Sequence, residues 1–242
     1  MFRPGNFDIT DKAIEKMMLP KEAKVLEIGC GEGETVERLE KKYGYRLTAI
    51  DKSLEMVSKA KKRGLKADIK YGDGEFLEDI PSLSLDAVIM ECVLSRIKLA
   101  DEALHEAYCV LKKSGKLFIS DIYMKDPDPE KVKAIRIEAE RQSKIMEPYP
   151  APGEHHDPSK VHDEETCSDE CAEDHRKRFY DFRFDGLFIK EPLIRAVEDI
   201  GFKVTFWEDR TADLIEYTKE NFMRPEGVSY FMLIAEKGDS NE

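Results

Sequence analysis

A chain of 242 residues is long enough for one large α/β domain with an elaboration, and 41% hydrophobic with 37% charged residues suits a packed core under a well-hydrated surface. A formal net charge of −12 argues against gripping nucleic-acid phosphates, which needs a basic face. No apolar run approaches the roughly 18 residues of a membrane span, no basic-then-apolar leader opens the chain, and five cysteines without one read as reduced thiols, so a cytoplasmic location is expected.

The first predicted element follows Arg3-Pro4-Gly5: Thr10 is the expected N-cap of a helix with Ala13, Ile14, Met17 and Met18 on one side, stopped by Pro20. Next, the apolar strand Val25-Leu26-Glu27-Ile28 ends in Gly29-Cys30-Gly31-Glu32-Gly33. Alternating glycines allow a tight turn that a ligand can approach closely. A helix from about Glu34 to Tyr43 aims its first amides at the same point. Asp51 closes the next strand, from Arg46 to Ile50. It lies about 20 residues beyond the glycines, where an acidic side chain reaches a ribose hydroxyl pair in a doubly wound sheet. The G-x-G-x-G spacing departs from the dinucleotide pattern G-x-G-x-x-G, and Glu27 and Glu32 would repel a pyrophosphate while attracting a cationic ligand.

Glu27 to Gly33 followed by Asp51 resembles motif I and the ribose-binding acidic residue of the class I S-adenosylmethionine-dependent methyltransferases. The resemblance implies a Rossmann-like α/β fold, a doubly wound, seven-stranded, mostly parallel sheet whose last strand lies antiparallel between two others. It implies S-adenosylmethionine as cofactor, with Glu27, Gly29, Cys30, Gly31, Gly33, Asp51, Lys52, Asp73, Gly74 and Glu91 as the binding residues. It also suggests that the N-terminal helix covers the mouth of the site; packing on the sheet edge is the alternative.

Further along, Ser53 reads as the cap of a helix to about Arg63, with Gly64 past its end. Ala67 to Tyr71 is the third strand, and Asp73-Gly74 follows in a turn where the resemblance puts the contact to the adenine amino group, although Asp-Gly is also good turn chemistry. Leu85 to Met90 is the fourth strand, apolar enough to be buried on both faces. Its exit, from Glu91 to Arg96, should face the methyl group and its acceptor, because ligands of open α/β sheets lie outside the carboxyl ends of the strands. That exit carries neither Asn/Asp-Pro-Pro-Tyr nor Pro-Cys, which weakens a DNA-modifying reading. A helix from Ala100 to Leu111 and a basic turn from Lys112 to Lys116 lead into the fifth strand, from Leu117 to Ile122. Asp121 and Tyr123 are expected to leave that strand on the ligand side. Together with Glu91 they are the catalytic candidates, as general bases for an acceptor that holds its proton at neutral pH, each with a plain hydrogen-bonding role as the alternative.

The chain divides into residues 1–123, an insertion at 124–186 and a closing part at 187–242. In the insertion, Pro129 to Met146 has helical spacing and the proline-rich stretch from Pro148 to Lys160 should be irregular. Cys167, Cys171 and His175 would share one helix face with His162 nearby, a set that could hold zinc or another thiophilic centre. The spacing matches no compact zinc signature, so no metal is assigned and a solvated acidic lid helix is the other reading. The closing part reads as a helix from Ile189 to Ile200, a strand from Phe202 to Trp207, a helix from Ala212 to Met223 and a strand from Ser229 to Glu236.

Methyl transfer to a small-molecule acceptor by in-line displacement is the expected function. A thiol or metalloid methyltransferase, of the arsenite type and using the insertion cysteines, is one alternative; a cofactor-binding module without turnover that docks a partner protein is another. The sequence leaves the oligomeric state open.

Overall fold

In the computed structural model, which describes residues 3–130, 133–134, 137, 183–184, 186–221 and 227–238, nine strands hydrogen-bond into one sheet. The order of elements is α1 (Asp8–Met17), β1 (Lys24–Ile28), α2 (Glu34–Arg38), β2 (Arg46–Asp51), α3 (Leu54–Lys61), β3 (Asp68–Tyr71), β4 (Leu85–Glu91), α4 (Ala100–Val110), β5 (Leu111–Met124), β6 (Arg183–Phe184), β7 (Leu187–Ile189), α5 (Lys190–Asp199), β8 (Phe202–Asp209), α6 (Thr211–Asn221) and β9 (Val228–Lys237). Strands β3, β2, β1, β4 and β5 lie side by side in parallel. β9 then runs antiparallel along β5, and β8 antiparallel outside β9. This is the expected seven-stranded order, with the last strand between two others. The two short strands β6 and β7 are additional, and β7 pairs with Tyr123 and Met124 on the edge of β5 that β4 has already left.

The sheet separates two apolar layers, as an α/β domain requires. Leu26, Ile28, Val88 and Met90 point to the side of α4 and α5, whereas Val25, Ala49, Ile89 and Phe118 point to the side of α1, α2 and α3. Side chains alternate along a strand. Glu27 therefore shares the face of Val25, and Glu91 that of Ile89. Because Glu27 stands opposite Ile89 in the register, the two carboxylates are diagonal neighbours on one face, beneath α1 and α2.

Three local expectations are corrected. Thr10 is not an N-cap: α1 begins at Asp8, after a turn in which Asp8 N–H donates to Gly5 O at 3.0 Å, and Thr10 lies inside the helix, buried. That helix ends at Met17, ahead of Pro20, where Met18 takes a left-handed conformation and turns out to solvent. The basic turn from Lys112 to Lys116 is part of β5, which starts at Leu111 and carries an irregularity there, with Ser114 at φ +58°. A buried lysine closes this corner: Lys237 Nζ donates to Tyr108 O at 2.6 Å and Leu111 O at 2.9 Å, satisfying carbonyls at the C-terminus of α4. Residues 129–130, 133–134 and 137 are helical, as the spacing from Pro129 predicts. The irregular stretch from Pro148 to Lys160 and the candidates His162, Cys167, Cys171 and His175 lie outside the described residues.

Candidate active site

The C-terminal ends of β1, β2 and β4 open into a cleft of about 730 Å³. Its base is the turn after β1. Gly29 sits at φ +75°, and a Cβ there would lie 2.4 Å from Val93 Cγ2, so only glycine lets the β4 exit pack against the turn. Gly29 and Cys30 N–H both donate to Ile50 O, at 2.8 and 3.0 Å, which straps the turn to the end of β2. Asp51 then accepts from Gly31 N–H and Ser53 N–H, each at 2.8 Å. Its carboxylate is thereby held in one orientation while each oxygen keeps a further lone pair.

Glu27 lines the cleft at 3% exposure, and its Oε2 is buried without a hydrogen-bond partner. Burial pushes its carboxyl up to about 8; the neighbouring Glu91 adds to the rise, while Arg3 and Thr35 oppose it. Glu91 is saturated by comparison. Arg3 Nη1 donates to Oε2 at 3.3 Å, Thr35 Oγ1 to Oε2 at 2.8 Å and Thr10 Oγ1 to Oε1 at 2.7 Å. Arg3 also donates to Thr35 Oγ1 at 2.8 Å, and its guanidinium lies 4.7 Å over the Phe7 ring. Asp11, which accepts from Arg38, Lys42 and Tyr43, ties α1 to α2; the Arg38 hydrogen bond leads in holding its carboxyl far below the usual range. As a result Arg3, Pro4, Asn6 and Ile9 form part of the cleft wall.

On the opposite side, Cys92 leaves β4 at φ +54°, a conformation uncommon for a non-glycine residue. Its N–H donates to Ser120 O at 2.7 Å and its Sγ lies 2.8 Å from Tyr230 Oη, which donates to Ser120 Oγ at 3.1 Å. Burial raises the pKa of both the thiol and the phenol, so they stand protonated at neutral pH. Lys52 pairs with Asp73 at the rim, and Gly74 follows, where a Cβ would lie 2.7 Å from Ile28 Cγ2.

Among the expected cofactor residues, Glu27, Gly29, Gly31, Asp51, Lys52, Asp73, Gly74 and Glu91 line the cleft. Cys30 and Gly33 do not: the Cys30 side chain is in the core, and Gly33 is the N-cap of α2. Among the three catalytic candidates only Glu91 is on the wall. The expectation that Asp121 and Tyr123 face the ligand is corrected. Asp121 is buried behind the wall, accepting from Ser95 N–H at 2.9 Å and Ser95 Oγ at 2.7 Å, and burial lifts its carboxyl to about 6. Tyr123 packs edge-on against Trp207 and Phe231, because β7 and β9 extend the pairing of β5 past the cleft. Sequence reasoning passed over Thr35 and Tyr230 and took Thr10 for a cap; only their distant partners give them a place. Among the described residues, Glu102, His105 and Glu106 on α4 could group around a metal ion, and none of them lines the cleft.

A family model described as a methyltransferase domain matches residues 26–119, the span from β1 to β5 that builds this cleft. Over that span the chain is similar to S-adenosylmethionine-dependent methyltransferases. The chain is 29% identical over 126 residues to phosphoethanolamine N-methyltransferase 1 of Arabidopsis thaliana, covering 51% of the chain and 26% of that protein. It is 31% identical over 129 residues to arsenite methyltransferase of Mus musculus, covering 47% of the chain and 34% of that protein. In fold it matches Haemonchus contortus phosphoethanolamine N-methyltransferase 2 in complex with S-adenosylmethionine, with a TM-score of 0.65 at 16% identity, over 99% of this chain and 54% of that one. The chain thus spans only part of the length of these relatives.

Proposed function

We propose that the cleft binds S-adenosylmethionine and that the protein passes its methyl group to a small-molecule acceptor by in-line displacement. The observation that carries this reading is the buried, unpartnered Oε2 of Glu27 beside the glycine turn, a polar atom that a ligand in the cleft would satisfy. When bound, the cofactor supplies an electrophilic methyl carbon on a sulfonium. Asp51 then holds the ribose hydroxyls, Asp73 and Gly74 receive the adenine, and the turn from Gly29 to Gly31 lets the ligand approach the backbone. The N-terminal segment, clamped through Glu91, keeps water from the reacting groups and aligns the acceptor, which is the main task in this displacement. Burial keeps Cys92 and Tyr230 protonated, so neither takes a proton from the acceptor. A cytoplasmic location fits this reading, and among the described residues no helix is long and apolar enough to cross a membrane.

Cys92 supports a second reading, a metalloid acceptor held by its thiol, in line with the arsenite methyltransferase relative. Titration calorimetry with S-adenosylmethionine, with a nicotinamide dinucleotide as control, tests the cofactor site. Asp51→Ala is expected to weaken binding by about 1.5 to 3 kcal/mol, the worth of hydrogen bonds to a charged group. Unchanged affinity would remove the ribose from Asp51. Release of S-adenosylhomocysteine with phosphoethanolamine or with arsenite and a thiol then separates the two acceptors. Binding without turnover on any acceptor would favour the non-catalytic module.

A further inference from the structure

The loop between β4 and α4 gives the cleft Val93, Arg96, Ile97 and Lys98. It holds one short turn of its own, Leu94–Arg96, and the carbonyls around the end of such a turn have no donor within it. Charged side chains from three other parts of the chain supply the missing partners. Asp121 of β5 accepts from Ser95 N–H and Oγ, and Glu75, 7% exposed in the connection from β3 to β4, accepts from Lys98 N–H at 3.0 Å and Leu99 N–H at 3.2 Å. The carbonyls go to Arg183. Its Nη1 donates to Ser95 O at 3.3 Å and Ile97 O at 2.8 Å, and its Nη2 to Lys98 O at 3.1 Å. Arg183 stands 85 to 88 residues further along the chain, in β6, which β7 ties to the end of β5.

We infer that Arg183 is a positioning residue for the cofactor: its guanidinium fixes the loop from Ser95 to Lys98, and with it the wall on which the adenine half of the ligand rests. The inference rests on the reading that the cleft binds S-adenosylmethionine with its adenine at Asp73 and Gly74. The held loop leads straight to that place. Ile97 packs against Gly74, where a Cβ would lie 3.3 Å from Ile97 Cδ1, and Glu75, which accepts the loop's amides, is the next residue. A planar fork suits this arrangement, because its nitrogens at fixed spacing reach three carbonyls that a single ammonium point does not match. Arg183 itself is not among the residues that line the cleft, so it acts through the loop and not by touching the ligand.

Calorimetric titration of the full chain with S-adenosylmethionine and with S-adenosylhomocysteine, which share the adenosine half, reads the effect. Arg183→Ala should weaken both about tenfold, the size of one hydrogen bond to a charged group. Amide exchange should quicken from Ser95 to Leu99 while β1 and β4 stay protected. Millimolar guanidinium chloride should restore most of the affinity, and sodium chloride of equal strength should not. Arg183→Lys, which keeps the charge, serves where the alanine variant folds poorly and is expected to lose about threefold in affinity. Equal affinity in the parent and both variants would overturn the inference and leave the cofactor site standing. A loss confined to S-adenosylmethionine would overturn it too, by moving Arg183 to the methyl side, as would faster exchange throughout β1 and β4, which would make Arg183 a support of the fold alone. A parent that binds neither ligand would instead remove the proposed function itself.

Discussion

At the level of single residues, the wall opposite the glycine turn depends on one phenol. Tyr230 Oη touches both Cys92 Sγ and Ser120 Oγ, and the ring is 2% exposed. Tyr230→Phe removes the hydroxyl and leaves two polar groups near or inside the core without their partner. The expected cost is about 1 to 3 kcal/mol, that of stranding a buried polar group, measured as a shift in the urea midpoint. A fully stable variant would mean that Ser120 and Cys92 find other partners. None of this was legible in the sequence. Tyr230 reads there as one residue of an apolar closing strand, and Cys92 as one residue of the exit from the fourth strand. The placing of Glu27, Gly29 and Asp51 on the cleft was legible because a glycine turn joins the ends of two neighbouring strands, strapped by amides of the same segments.

At the level of elements, Glu91 is the bolt between α1, α2 and the β4 exit. Glu91→Gln keeps the shape but removes the charge that Arg3, Thr10 and Thr35 converge on. The segment from Arg3 to Met17 should then open more often, seen as faster amide exchange in α1 while exchange in β1 and β4 stays slow. Equal protection in α1 would show that Asp11 and the apolar face of α1 hold the segment without the bolt. The three donors stand 88, 81 and 56 residues away along the chain, which is why no local pattern announces them. Thr10 misleads for the same reason: a threonine ahead of an apolar periodic run has the signature of a cap, and the Glu91 carboxylate at the end of β4 takes it instead. The strands from β1 to β5 were readable from apolar runs that end in glycine or acidic residues. The true end of β5 was not, since it depends on β7, paired from far along the chain.

For the molecule as a whole, the buried carboxyls set the response to pH. Burial lifts Glu27 to about 8, Asp101 to about 7 and Asp121 to about 6, all above their values in an unfolded chain. The folded state therefore binds more protons, so this share of stability is full below about pH 4 and declines as pH rises to about 8. Asp209 acts in the other sense: burial raises it, but Lys125 and Thr211 prevail and bring it to about 2, so its share is lost on acidification. Glu27→Gln should be more stable than the parent at pH 8, by on the order of a few kcal/mol, with the gain gone near pH 4.5. Thermal melts of both proteins across that range check it, and a constant offset would show that Glu27 does not titrate there.

The position of β9 also governs the timing of folding. It pairs with β5 over nine residues, separates β5 from β8, and supplies the lysine that seals the end of α4. A growing chain that has already made β1 to β5 must therefore keep the edge of β5 open while more than 100 further residues are synthesised. Such an edge invites pairing with other chains. The cleft half of the domain should thus depend on shielding during translation and close only when residues 228–237 emerge.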